Sequence, residues 1–481
     1  MNSDIVEYAI NYAQSNNTDY VEARLQRNRH KIAILRNGNP EPSVDVDILG
    51  IGIRVLVNGA YSFAATNSLN KTSIKNLIDN AIKTASVQAN LFPNNIKIND
   101  EKKPLDIKWN ANEKEKHENF HTEFFLNHLH EINSNIENTI NEVEITNRLF
   151  YLVSSIEEKI FMNSTDQIYH SRVPRIEFHS IFGTKYGNNF DTITIPPGYA
   201  GTGKSGGVEL LNDFDLVHKV PNRVKEITNS IKTTDKLEEN IIDVIVGPEI
   251  SGLIAHESCG HPSEADRILG REAAQAGESY LKKTNIGMKI GSEEANVTDD
   301  STIKESMGFF DYDDEGNKST KKELIKNGFI NEFLHNSETS SLIGAKNNGS
   351  ARSVQYDREP IIRMSNTFIE PGDHDFSELV SDISYGVYMK SFMEWNIDDT
   401  RMNQRYVGLE SFLIENGELK HNLKNVVLEL TTPKFWSSID ARGKTLEFNS
   451  ATCGKGDPMQ GAPVWTGGPH VRLRNIKMVS R

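Results

Sequence analysis

Apolar and polar positions alternate along this chain in two registers, one helical and one strand-like. Residues 3 to 15 repeat apolar side chains every three to four positions, which predicts an amphipathic helix. Over 19 to 36 and 49 to 66 the period drops towards two, and Asn58-Gly59 stands between apolar runs, so these segments read as strands that include a hairpin. Helical spacing returns at 71 to 91 and 113 to 137, on either side of a polar, proline-marked connection at 92 to 110. Strand-like runs fill about 142 to 195, followed by a glycine-rich loop and a charged helix at 208 to 238. Ile241 to Val246 then reads as a strand, Gly247-Pro248 as a turn and Leu253-Ile254 as the first turn of another helix. Asn327-Gly328 and Asn416-Gly417, each between apolar residues, mark further hairpins. The pattern predicts an α+β chain with an amino-terminal α/β domain over 1–235, its helical connection near 92–137 and its strands at 142–195, and a β-rich domain over 236–481.

The helix after Leu253-Ile254 carries the chemistry. It reads His256-Glu257-Ser-Cys259-Gly-His261-Pro262-Ser-Glu264-Ala-Asp266, two imidazoles and a carboxylate behind an apolar run. On a regular helix, at about 100° per residue, a histidine at i+5 points about 140° away from one at i. The two rings can face one ion if the helix contains a π-type turn or ends at the second histidine. Pro262 supports an ending, because the residue before proline is pushed out of the α region. Catalytic zinc is commonly held by three protein ligands with the fourth position left for water, so His256, His261 and a thiolate would suffice, with Glu257 as general base. Cys259 and Cys453, the two cysteines of the chain, could each supply the thiolate. Cys259 would crowd one short segment, whereas Cys453 arrives from afar beside Gly454 and Gly456, where the backbone can turn tightly.

Composition narrows the classes. At 481 residues two or three domains are expected. The 53 basic against 67 acidic residues give −14 with no basic block, which argues against nucleic-acid binding. No run approaches the roughly 18 apolar residues of a membrane span, and the amino terminus lacks a basic region followed by an apolar core. Few cysteines and no export signal point to the cytoplasm, a compartment that disfavours a Cys259–Cys453 disulfide.

Two further motifs carry less. His117-Glu118-Asn-Phe-His121 has metal-binding spacing, but it lies in a stretch rich in His and Glu and reads as a surface helix with one partly buried side. Gly198-Tyr-Ala-Gly201-Thr-Gly203-Lys204-Ser205 satisfies a phosphate-loop pattern, yet Pro196-Pro197 interrupts the strand side and Gly206-Gly207 discourages the helix that would hold phosphate. It reads as a flexible loop.

From about 236 onwards the chain resembles the TldD/PmbA family of metallopeptidases, on the metal-binding TldD side. After the His-Glu cluster come Thr298-Asp-Asp300, Gly308-Phe-Phe-Asp-Tyr-Asp313-Asp-Glu-Gly316, Asn347-Asn-Gly-Ser-Ala-Arg352, Arg363-Met-Ser-Asn366-Thr367 and Cys453-Gly-Lys-Gly456, in order. The amino-terminal part fits more loosely, through Tyr20-Val-Glu-Ala-Arg24 and Gly50-Ile-Gly-Ile-Arg54. Pro262 and Cys259 depart from the usual pattern. The resemblance implies a barrel-like catalytic module, one Zn2+ held by His256, His261 and Cys453, and Glu257 as the base that assists attack of a zinc-polarised water on a peptide bond. It further implies peptide or unfolded-protein substrates, and a homodimer or a heterodimer with a metal-free relative, which leaves a non-catalytic assembly subunit as the alternative reading. Glu264 and Asp266 are expected to accept hydrogen bonds from the ligand imidazoles. Arg352, Arg363 and Asn366 are expected to line the substrate groove.

Overall fold

A computed structural model describes residues 1–91, 96–98, 105–137, 143–196, 201–273 and 276–481. The predicted α+β architecture is present. In the first half, long antiparallel strands run in the order Ala60–Thr66, Val44–Val57, Tyr20–Arg36, Glu144–Asn163 and Gln167–Tyr186. The predicted hairpin turns at Asn58 and Gly59, whose φ values of 49° and 77° suit the mirror-image turns that match strand twist. Helices Asp4–Gln14 and Lys71–Leu91 lie where the apolar spacing puts them and pack Val6, Ile10, Ile74 and Ile78 against Ile51, Ile53 and Val55.

Three local expectations change. Part of the expected connection, Leu105–Asn110, forms a strand parallel to Gln167–Tyr186. Its Leu105, Ile107 and Trp109 alternate with polar residues as a half-buried strand requires. The helix expected at 113–137 is broken: a single tight turn covers His117–Asn119 and the helix proper runs Thr122–Glu137. His117 is buried, with Nδ1 2.5 Å from the Ser154 hydroxyl and Nε2 2.8 Å from the Gly206 carbonyl, while His121 is exposed, so the two rings share no helix face. The charged helix at 208–238 becomes Leu210–Phe214 and Leu216–Ile231, parted at Asp215, which takes a left-handed φ of 50°. Within the phosphate-loop pattern, residues 198–200 lie outside the described residues. Thr202–Ser205 is a strand paired with Arg175–Phe178, and Lys204 is 3.1 Å from Glu305.

In the second half, Asn240–Val246, Tyr385–Ile397, Asn403–Glu415, Val426–Thr431 and Val471–Ser480 pair in that order, and the last pairs back to the first. This closes a five-stranded barrel, as the resemblance implied. Beside it stands a six-stranded sheet that ends in Asn366–Ile369, Gln460–Gly468 and Glu447–Lys455. The helix Pro248–Ala255 is buried between them with Ile250 and Ile254 in a core shared with Val244, Val387, Val464 and Leu473. It seats closely because a Cβ on Gly252 would lie 2.9 Å from the Gly467 nitrogen. Among the described residues no helix is long and apolar enough to cross a membrane.

Candidate metal centre

The histidine pair follows from how the buried helix ends. Pro248 occupies its first turn, where the missing N–H costs nothing, and regular α geometry holds to Ala255. His256–Gly260 then opens into one wider turn, with the His261 N–H donating to the His256 carbonyl five residues back. The extra residue restores the facing that a five-residue spacing destroys on a regular helix. His261–Ser263 tightens into a last turn and the chain leaves at Glu264 in an extended conformation, so the structure contains both the π-type turn and the ending near Pro262. Gly260 is required in this turn, since a Cβ there would lie 2.0 Å from the Met364 sulfur.

The rings of His256 and His261 stand edge to face, with centroids 4.8 Å apart. Cys453, in the strand Glu447–Lys455, places Sγ 3.4 Å from His261 Nε2. One ligand atom from each of His256, His261 and Cys453 lies within 4.8 Å of the others, and all three residues are buried. Zinc–nitrogen and zinc–sulfur lengths of about 2.0–2.3 Å put tetrahedral ligand atoms roughly 3.3–3.7 Å apart, so a modest contraction around an ion fits. His256 Nδ1 is buried without a protein partner among the described residues. Burial lowers the His256 pKa and keeps its ring neutral, as a metal ligand must be. Burial alone would raise the Cys453 thiol, but His261 and Arg363 beside it bring it down from 9.0 to about 7. Cys259 is buried as well, its thiol pushed up by burial, and both cysteines are free.

Of the residues expected behind the ligands, Glu264 places Oε2 2.9 Å from His261 Nδ1. That contact turns Nε2 of the ring towards Cys453. Burial would raise the Glu264 carboxyl, but Lys455, His261 and Arg267 hold it well below the usual range. Asp266 instead receives Lys455 Nζ at 2.8 Å on both oxygens, and no imidazole contact is among its hydrogen bonds. Lys455, two residues beyond Cys453, also lies 3.3 Å from Glu264 Oε1 and so ties the cysteine strand to the histidine turn.

The three residues expected along a substrate groove are engaged inside the protein. Arg363 donates to the carbonyls of Gln460 and Cys453, Arg352 to those of Met364 and Pro463, and Asn366 to the Asp300 carbonyl and the Ser306 hydroxyl. Asn366 also accepts from the Gly308 N–H. All three are buried, so their geometry holds backbone in place and offers a bound chain little surface. Two residues at the site had no motif to announce them. Arg401 pairs with the Glu257 carboxylate, and Arg267 donates to Glu264 at 2.6 Å. Burial alone would raise Glu257, but the charges of Arg401, His261 and His256 hold it below the usual range.

Known proteins match this chain along most of its length. The PmbA/TldA metallopeptidase C-terminal domain matches residues 239–480, and PmbA/TldA metallopeptidase domain 1 matches 21–85. The chain is 28% identical to a metalloprotease of Methanocaldococcus jannaschii over 94% of this chain and 96% of that protein. It is also 28% identical to the zinc metalloprotease TldD homolog of Saccharolobus solfataricus, over 89% of each chain. The solved structure of TldE from Thermococcus kodakarensis has the same fold, with a TM-score of 0.72 at 16% identity over 98% of this chain and 99% of that one. With half of its length matched by the carboxy-terminal family model and a His-Glu cluster of family type at its centre, this chain belongs to the PmbA/TldD family of metallopeptidases.

Proposed function

We propose that this chain is a zinc-dependent peptidase that hydrolyses peptides or unfolded and small proteins. The observation that carries the reading is the convergence of His256, His261 and Cys453, with the carboxylate of Glu257, next to His256 in the chain, paired to Arg401. His256, His261 and Cys453 would hold the ion. When bound, zinc acts as a Lewis acid that polarises a carbonyl and brings the pKa of a water towards roughly 7. Glu257 accepts the proton of the attacking water as its oxygen bonds to the scissile carbonyl carbon, then delivers that proton to the amine as the C–N bond breaks. Glu264 holds His261 in the tautomer and orientation that leave Nε2 available.

An extended substrate is favoured by the sheet beside the cysteine. Glu447–Lys455 is the last strand of its sheet, and on its open side Gly201 pairs with it at Ser450. Among the described residues no strand pairs with the backbone near Thr452 on that side, and an extended chain adding there gains affinity from main-chain hydrogen bonds without reading sequence. A cleft of about 420 Å³, lined in part by Thr452, Gly461, Pro463, His30, Glu177 and His179, opens beside Thr452. The same reading divides the chain near residue 235 and has it act in the cytoplasm as a dimer, with itself or with a metal-free relative.

Metal analysis paired with cleavage of an unfolded protein tests this. Stoichiometric zinc, with cleavage lost by about 10²–10⁴-fold in Glu257→Gln while the metal stays bound, supports the peptidase. Full zinc occupancy without cleavage of any substrate would make the chain a non-catalytic subunit.

A further inference from the structure

Glu257 is not positioned by its own helix alone. The Arg401 guanidinium holds Oε2 of its carboxylate through Nη1, and Oε1 meets no protein donor among the described residues. Arg401 comes from the turn between the barrel strands Tyr385–Ile397 and Asn403–Glu415. That turn is firmly made. Asp398 accepts from the Met402 N–H at 2.7 Å and the Asn403 N–H at 3.1 Å, and the Arg401 carbonyl accepts from the Thr432 hydroxyl at 2.7 Å. Arg401 has a φ of 64°, in the left-handed region that non-glycine residues seldom occupy and that clusters where function fixes a side chain. The side chain is 7% exposed, and its buried Nε has no partner among the described residues. A buried ion pair with a donor left over is a poor device for stability, because apolar replacements are often as stable or more so.

We propose that Arg401 is the positioning residue of the hydrolytic site, gripping one oxygen of Glu257 so that the other faces the attacking water. The proposal rests on the peptidase reading. A general base must sit within about 2.6–3.2 Å of the proton it takes, and a 1 Å misplacement can cost about 10²-fold in rate. Held by one oxygen only, Glu257 keeps Oε1 free to act while its orientation is set from a second element.

Arg401→Gly is the informative variant, because glycine suits the left-handed backbone and removes the guanidinium. In the zinc-loaded protein we expect unchanged zinc content and KM, kcat lower by about 10²-fold, and partial recovery of kcat with added guanidinium or in Arg401→Lys. Added guanidinium should not rescue Glu257→Gln. A readout independent of turnover is the denaturation midpoint of the metal-free protein. Arg401→Gly should lower it, and the drop should shrink by more than half in a Glu257→Gln background. An unchanged kcat, a loss carried by KM alone, or equal midpoint drops in both backgrounds would overturn the proposal. A zinc-loaded wild type that cleaves nothing sinks the peptidase reading and this proposal together, whereas an active wild type beside an unimpaired Arg401→Gly sinks the proposal alone.

Discussion

Lys455 shows how a single side chain can be as consequential as a ligand without touching the ion. Its ammonium is fully buried and joins Asp266, Glu264 and the Ile362 carbonyl, so it fixes the distance between the Cys453 strand and the turn that carries His261. Removing it would leave Asp266 and Glu264 as buried carboxylates short of a partner and would loosen the thiolate against the rings. Outer contacts of this kind typically change metal affinity by 10–100-fold. Lys455→Met should therefore weaken zinc binding by about that factor in a chelator competition. His335 makes a different prediction. Burial depresses its pKa from 6.5 to about 4, so the unfolded chain takes up the proton first as pH falls. Its contribution is complete above pH 6.5 and is lost as pH drops towards 4, amounting to roughly 3 kcal/mol at 1.36 kcal/mol per unit. Urea midpoints should fall between pH 7 and pH 5, and His335→Gln should flatten that fall. At this scale the sequence was legible where chemistry is local. His256, Glu257 and His261 lie within six positions, and the flanking glycines favoured Cys453. Arg401 was not legible, because it reaches Glu257 from a turn 144 residues away whose sequence signals only a turn.

Elements formed as the apolar spacing predicted at Lys71–Leu91 and Tyr20–Arg36. The misses come from tertiary contacts that periodicity does not record. His117 leaves helical geometry to place both ring nitrogens between Ser154 and Gly206. Leu105–Asn110 is a six-residue strand beside Pro104, too short to stand out from a polar connection until Gln167–Tyr186 is there to pair with it. The histidine turn is the reverse case: the five-residue spacing demanded an irregularity, and the wider turn at His256–Gly260 supplies it. Its tolerance is small. Gly260→Ala drives a methyl into the Met364 sulfur, and overpacking of this kind costs about 1–3 kcal/mol. Thermal denaturation should show that loss together with weaker zinc binding, while an alanine at the exposed Gly187, where a Cβ meets no described atom within 4 Å and only the left-handed φ of 59° is strained, should leave the metal untouched.

Across the whole molecule the two halves are joined by charge as well as by packing. Arg54 of the first sheet lies 2.8 Å from Glu22 and 2.5 Å from Glu315, all three buried. Lys159 reaches Asp314 at 2.9 Å, and Arg24 reaches the Ser353 hydroxyl at 2.7 Å. Removing one partner of a buried pair is costly because the other charge remains, so Arg54→Met should destabilise the protein by about 3–5 kcal/mol in equilibrium denaturation. None of this coupling was legible in the sequence, which yields which segments are apolar and leaves open which buried charges will meet. The family blocks did carry across the chain: Arg352, Arg363 and Lys455 hold backbone or charge beside the Cys453 strand, and Glu315 accepts from the Ser337 N–H and pairs with Arg54.

Hydrolysis at this centre depends on one ion held jointly by two imidazoles and the Cys453 sulfur. X-ray absorption at the zinc edge, on protein loaded with a single equivalent of zinc, reads that coordination directly. We expect one sulfur at about 2.3 Å and two imidazole nitrogens at about 2.0–2.1 Å, with the sulfur lost in Cys453→Ser and kept in Cys259→Ser. A first shell of nitrogen and oxygen alone, or a sulfur that persists in Cys453→Ser, would contradict it.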